Sequence, residues 1–169
     1  MTATYTVADL IEATGAPRRT VQFWADKRVI EATTATQDGG HGVHRAFART
    51  EAIIACLIRA ISMGWHGDQT RSVGELREVA KQLRVHLRHR VIAEDFESAI
   101  KGQGSFYLVL FWLFGEKPRS GQPTSIETYV AEVHRAKFDF RGIFETLETK
   151  LGRSEVLYLN EWLRPLRVM

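Results

Sequence analysis

Cysteine is almost absent from this chain: Cys56 is the only one among 169 residues. An intrachain disulfide is therefore excluded, as are metal sites built on several thiolates, and a reducing interior is the natural compartment. Long apolar runs are lacking too. The longest, Phe106 to Phe114, is about half of the ~20 residues that a membrane span requires, and no signal peptide is recognisable at the N-terminus. A cytoplasmic protein with no membrane partner is expected. Charge excess is small, 23 Lys+Arg against 20 Asp+Glu, which permits an acidic partner without specifying nucleic acid. Catalytic patterns are missing as well. Gly102-x-Gly104 lacks the third glycine and the strand-to-helix setting of a dinucleotide loop, and no Walker or His-Glu-x-x-His pattern occurs. Serines, histidines and acids show no nucleophile-and-base spacing, so the chain reads as a non-enzyme without a cofactor. His86 and His89 lie one turn apart with no third ligand in view, and no metal site is assigned.

What is present begins with a helix pair. Val7, Leu10, Ile11 and Thr14 form one apolar stripe, with Thr6 placed as N-cap and Asp9 at the third helical position. Gly15 suits the left-handed end of that helix, and Pro17 suits the first turn of a second. On the second helix Val21, Trp24 and Ala25 share the packing face, while Arg18, Arg19, Gln22 and Asp26 look outward. A guanidinium can fork onto guanine or phosphate and a carboxamide can pair bidentately with adenine, so Arg18, Arg19 and Gln22 suit a DNA-reading helix-turn-helix. Two arginines on a solvated face serve solubility equally well.

Past Ile30, a polar stretch with Asp38-Gly39-Gly40-His41-Gly42 leads into Val43-His44-Arg45-Ala46-Phe47. This reads as a glycine-tipped hairpin, a wing whose His41, His44 and Arg45 would lie along a sugar-phosphate backbone. Ile53, Ile54, Leu57, Ile58 and Ile61 then predict an amphipathic helix over about Thr50 to Met63, ended by Gly64, with Cys56 a small residue on its apolar side.

The order helix, turn, helix, wing, helix resembles the MerR family of bacterial winged-helix regulators over about residues 5–65. Gly15 to Ile30 aligns without a gap to the family pattern Gly-Val-Ser-x-x-Thr-Leu-Arg-Tyr-Tyr-Glu-x-x-Gly-Leu-Leu. Arg45-Ala46-Phe47 stands for the wing's Arg-x-Tyr, and Gly64-Trp65 for a helix-ending Gly-Phe. Departures are specific: Gln22 replaces a DNA-contacting arginine, Phe23 and Trp24 replace tyrosines, Ala25 replaces a glutamate, and Arg28 replaces a turn glycine. A left-handed arginine costs roughly 1 kcal/mol, so a differently shaped turn is expected there. Trp24 is assigned to the core, with Phe23 between core and contact. The expected DNA-binding set is Arg18, Arg19, Thr20, Gln22, Phe23, Lys27, Arg28, His41, His44 and Arg45.

Between Arg71 and Arg90, Val73, Leu76, Ala80, Leu83 and Leu87 repeat at three and four, the seam of a short coiled coil or of a helix packed on a neighbour. Arg71, Arg77, Lys81, Arg84, Arg88 and Arg90 surround it, as a solvated face or near phosphates. The last third predicts strands at Phe106 to Phe114, Ile126 to Val133 and Val156 to Leu159, with helices at about Phe140 to Leu151 and Glu161 to Leu166. The expected class is α+β: a winged helix-turn-helix (1–67), a connector or dimerisation helix (70–101) and a small α+β module (104–169) whose aromatics line a ligand pocket or fill a core. The resemblance implies a transcription regulator binding double-stranded DNA as a homodimer and engaging RNA polymerase, with a small-molecule effector left open. The alternative is a phage-type architectural or packaging protein, excisionase-like or small-terminase-like.

Overall fold

The computed structural model describes residues 4–36, 44–63, 71–113, 125–132 and 152–169. Thr6 opens the first helix, because its hydroxyl accepts the Asp9 N–H at 3.3 Å while the Asp9 carboxylate accepts the Thr6 N–H at 2.7 Å. Helix α1 runs Val7–Thr14 and ends at Gly15, whose φ of 60° is the left-handed cap expected of it. Helix α2 runs Arg18–Asp26. Pro17 stands just ahead of it rather than in its first turn, and the Pro17 carbonyl accepts the Thr20 and Val21 N–H groups. Leu10 and Ala13 of α1 and Val21 and Trp24 of α2 are buried, which joins the two helices by their inner faces.

The end of α2 corrects an expectation. Arg28 does take the left-handed conformation, at φ 55°, and donates its N–H to Ala25, while the Val29 N–H reaches the Trp24 carbonyl at 2.8 Å. These two bonds make a Schellman cap, completed by the buried contact partners Val29 and Trp24. The turn keeps its glycine-type shape because the Val29 anchor outweighs the cost of a left-handed arginine. Arg28→Gly should therefore stabilise the fold by about 0.5 to 1 kcal/mol, the relief of about 1–2 kcal/mol of backbone strain less the entropy glycine adds to the unfolded chain. Urea unfolding midpoints check this; a variant less stable than the parent would deny the strain.

Strand β1, Thr4–Thr6, pairs antiparallel with β2, Ala46–Ala48, and Ala32 bridges to Phe47 from the other side. Of the expected hairpin, the described residues hold β2 from Ala46 and the Ala32 bridge to Phe47, while the three-residue partner of β2 precedes α1. Three residues are too few to leave an alternating pattern, so β1 has no signature in the sequence. The glycine tip at 38–42 lies outside the described residues. Helix α3, Arg49–Met63, is the centre of the core, with every residue from Glu51 to Ile58 buried; its expected Gly64 stop lies outside the described residues.

The expected connector is two helices, α4 at Val73–Arg88 and α5 at Arg90–Lys101, broken at His89. A reciprocal Ser72–Glu75 cap starts α4, with bonds of 3.2 and 2.8 Å. Its apolar seam, Leu76, Val79, Ala80 and Leu83, is buried within the chain as α4 packs on α3 and on the sheet. Arg71 and Arg84, expected on the basic surface, are instead paired inside: Arg71 with Glu155, and Arg84 with Glu51. Arg49 forks onto Glu97 at 2.6 and 2.9 Å and donates to the Tyr5 hydroxyl, tying β1 and α3 to α5. The Arg49 hydrogen bonds hold the Glu97 carboxyl below the usual carboxylate range.

Strand β3, Phe106–Leu113, is the centre of a second sheet, flanked antiparallel by β4, Ser125–Glu132, and β5, Gly152–Tyr158. Strand β5 is longer than the expected Val156 to Leu159 and starts earlier, at Gly152. Helix α6, Leu159–Trp162, and a 3₁₀ turn, Arg164–Arg167, replace the single terminal helix. The Asn160 side chain accepts the Phe106 N–H and donates to the Gly104 carbonyl, locking α6 to the start of β3. The helix expected over 140–151 lies outside the described residues. With six α-helices and two small antiparallel sheets among the described residues, the chain is α+β. Among those residues no helix is long and apolar enough to cross a membrane. One cluster of buried side chains runs from Tyr5 to Leu166.

Candidate nucleic-acid interface

Burying Val21 and Trp24 forces the opposite side of α2 into solvent, and Arg18, Gln22 and Asp26, four residues apart, become one straight exposed row. The row is about 12 Å long at 1.5 Å per residue. Beside it stand the first turn of α1 and the residues just before β2. Together they enclose an open cleft of about 740 Å³ into which Arg18, Gln22, Asp26, His44 and Arg45 face. Just beyond His44 and Arg45 the chain is held by the Thr36 hydroxyl, which accepts the Ala46 N–H at 3.0 Å, and by the Thr33 N–H on the Ala46 carbonyl at 2.7 Å.

Within this cleft Arg45 is not free. Its guanidinium meets the Asp26 carboxylate at 2.7 Å, and its side chain is 24% exposed. The pair joins the outer row of α2 to the residues just before β2, so a ligand that takes Arg45 must compete with Asp26. These two lie nineteen positions apart in sequence, and no local signal couples them. Polar donors of three kinds remain for a ligand: the Arg18 guanidinium, the Gln22 carboxamide and the His44 ring.

The other expected site residues do not line this cleft. Arg19 is exposed at the start of α2, and Thr20 is half-buried. Phe23, 42% exposed, belongs to the surface, whereas Trp24 is core. Lys27 and Arg28 are exposed at the far end of α2, away from the cleft lining. His41 lies outside the described residues.

A buried polar clamp sets the position of α2 from behind. Glu51 accepts two bonds from Arg84, at 2.7 and 2.8 Å, and the Glu31 N–H at 2.8 Å, while Arg84 also donates to the Val29 carbonyl at 2.9 Å. Helix α4 therefore grips the chain immediately after the Schellman turn. Burial by itself would lower the Arg84 pKa, but hydrogen bonding and attraction to Glu51 outweigh it and the pKa is raised. Below α1, burial pushes the Cys56 thiol up to about 12, so this cysteine stays protonated and inert. Among the described residues no group of three His, Cys, Asp or Glu side chains is placed to hold a metal ion. No protein-family model matches the chain, and no curated protein matches it either.

Proposed function

We propose that this chain is a sequence-specific DNA-binding regulator of transcription, a MerR-like winged helix-turn-helix that reads duplex DNA through α2. The observation that supports this reading most is the solvent-facing row of Arg18 and Gln22 beside His44 and Arg45 in one open cleft. Arg18 and Gln22 are the base-reading groups, with Arg19 beside them at the head of the helix; His44 and Arg45 take phosphates, as do Lys27 and Arg28 at the other end. The protein acts as a homodimer on a two-fold site at a promoter, where RNA polymerase is its partner. Because the α4 seam is buried within the chain, the dimer contact uses another surface.

Selection from a random duplex pool, followed by footprinting on genomic DNA, tests the reading. Protection of a two-fold site overlapping a promoter is expected; several direct repeats away from promoters would instead indicate the architectural or packaging role. No duplex binding in dilute salt would overturn both. A second expected result concerns Asp26. Asp26→Asn frees Arg45 and removes a carboxylate facing phosphates, so affinity should rise about three- to tenfold, with the slope of log K against log salt steeper by about one. Fluorescence anisotropy across a salt series checks it, and unchanged affinity would mean that Arg45 and Asp26 both lie off the interface.

A further inference from the structure

A second groove lies between the turn after α2 and the outer side of α4, about 720 Å³ in volume. We propose that it is a second phosphate-binding track for duplex DNA; this rests on the DNA-binding reading and extends it to a helix outside the winged unit. Arg77, Lys81, Arg84 and Arg88 recur at i, i+4, i+7 and i+11, one face of α4 over about 16 Å. Arg84 turns inward, where Glu51 and Glu31 neutralise it. Arg77, Lys81 and Arg88 stay exposed, and Arg28 faces them from the α2 turn.

Two carboxylates also line the groove and lower its positive charge without cancelling it, since Arg84 offsets only one of Glu51 and Glu31, and Glu31 and Glu78 then stand against Arg28, Arg77, Lys81 and Arg88. Glu31 is engaged by Arg84 at 3.4 Å, and Glu78 meets Lys81 only at 3.7 Å on open surface, where such a pair contributes little. Among the described residues, Arg28, Arg77 and Arg88 form no ion pair with a carboxylate.

The arrangement selects its ligand by shape. The exposed cations of α4 are spread about 6 and 10 Å apart along the axis instead of converging on a point, so they suit a line of repeated negative charge rather than a single small anion. A duplex offers that line, with a phosphate every ~3.4 Å along each strand. Arg28 favours DNA over an acidic protein segment, because it lines this groove and also lies two residues beyond the last residue of α2, which links the groove to the DNA-reading helix of the proposal.

The test is the triple variant Arg77→Ala, Lys81→Ala, Arg88→Ala, which leaves Arg84 and the clamp intact. Binding of a random-sequence duplex and of a selected site is measured against salt, with polyglutamate as a control polyanion and circular dichroism to verify folding. The slope of log K against log salt should fall by roughly three, and affinity for both duplexes by about tenfold or more, with sequence preference kept. Glu78→Gln in the parent, which keeps all four cations, should shift affinity the opposite way. A folded triple variant with the parental slope overturns the track while leaving the α2 reading in place. Loss of polyglutamate binding alone would assign the groove to an acidic protein and overturn it equally. A parent protein that ignores every duplex overturns the DNA reading itself, and the track with it.

Discussion

Arg84→Ala should cost about 3 to 5 kcal/mol of stability, more than most single substitutions do, because it leaves the Glu51 carboxylate buried and without its cation. Glu51 is 7% exposed, and the two guanidinium bonds it loses are its charge partner. The Val29 carbonyl loses a donor at the same time. Removing both charges together separates these contributions. In Glu51→Leu with Arg84→Met no charge is stranded, yet the Val29 carbonyl and Glu31 N–H remain unpaired, at about 1–3 kcal/mol. The double variant should thus be more stable than Arg84→Ala, although still weaker than the parent. Urea unfolding of the three proteins measures this order. If Arg84→Ala falls within about 1 kcal/mol of the parent, the clamp is solvated in solution and does not hold the chain behind α2.

The second large effect is on recognition. Gln22→Ala should leave stability unchanged, since the side chain is exposed and the row it occupies makes no core contact. Discrimination at one base position should fall by about 1–3 kcal/mol, roughly 5- to 150-fold in relative affinity, because a carboxamide can meet both polar atoms of an adenine edge. Selected-site logos from parent and variant, taken at one salt concentration, give the answer. Identical logos would take Gln22 out of the reading set and shift the weight of specificity to Arg18 and Arg19.

Local signals in this chain were legible and long-range ones were not. The start and stop of α1 depend on Thr6, Asp9 and Gly15, all within ten residues, and they lie where the sequence implied. The outward row of α2 follows from its periodicity alone. The clamp could not be foreseen, because Arg84 is 33 residues from Glu51 and looks in sequence like its exposed neighbours Lys81 and Arg88. The break at His89 has no glycine or proline to announce it; the packing of two helices on one core sets it, not the local chain. The Ser-x-x-Glu pattern at Ser72 is a local signal for the start of α4. For the candidate site, exposure of Arg18, Arg19 and Gln22 was readable, whereas the attachment of Arg45 to Asp26 depends on tertiary packing that no local pattern encodes.

The cluster that gathers Leu10 and Ile54 with Leu159, Leu163 and Leu166 has a practical corollary. Trimming the chain after Lys101 would strip the cover from α1 and α3, baring oily surface that normally never meets water. The front half alone should therefore melt at a lower temperature than the whole chain, and scanning calorimetry should find both ends of the whole chain unfolding in one cooperative event.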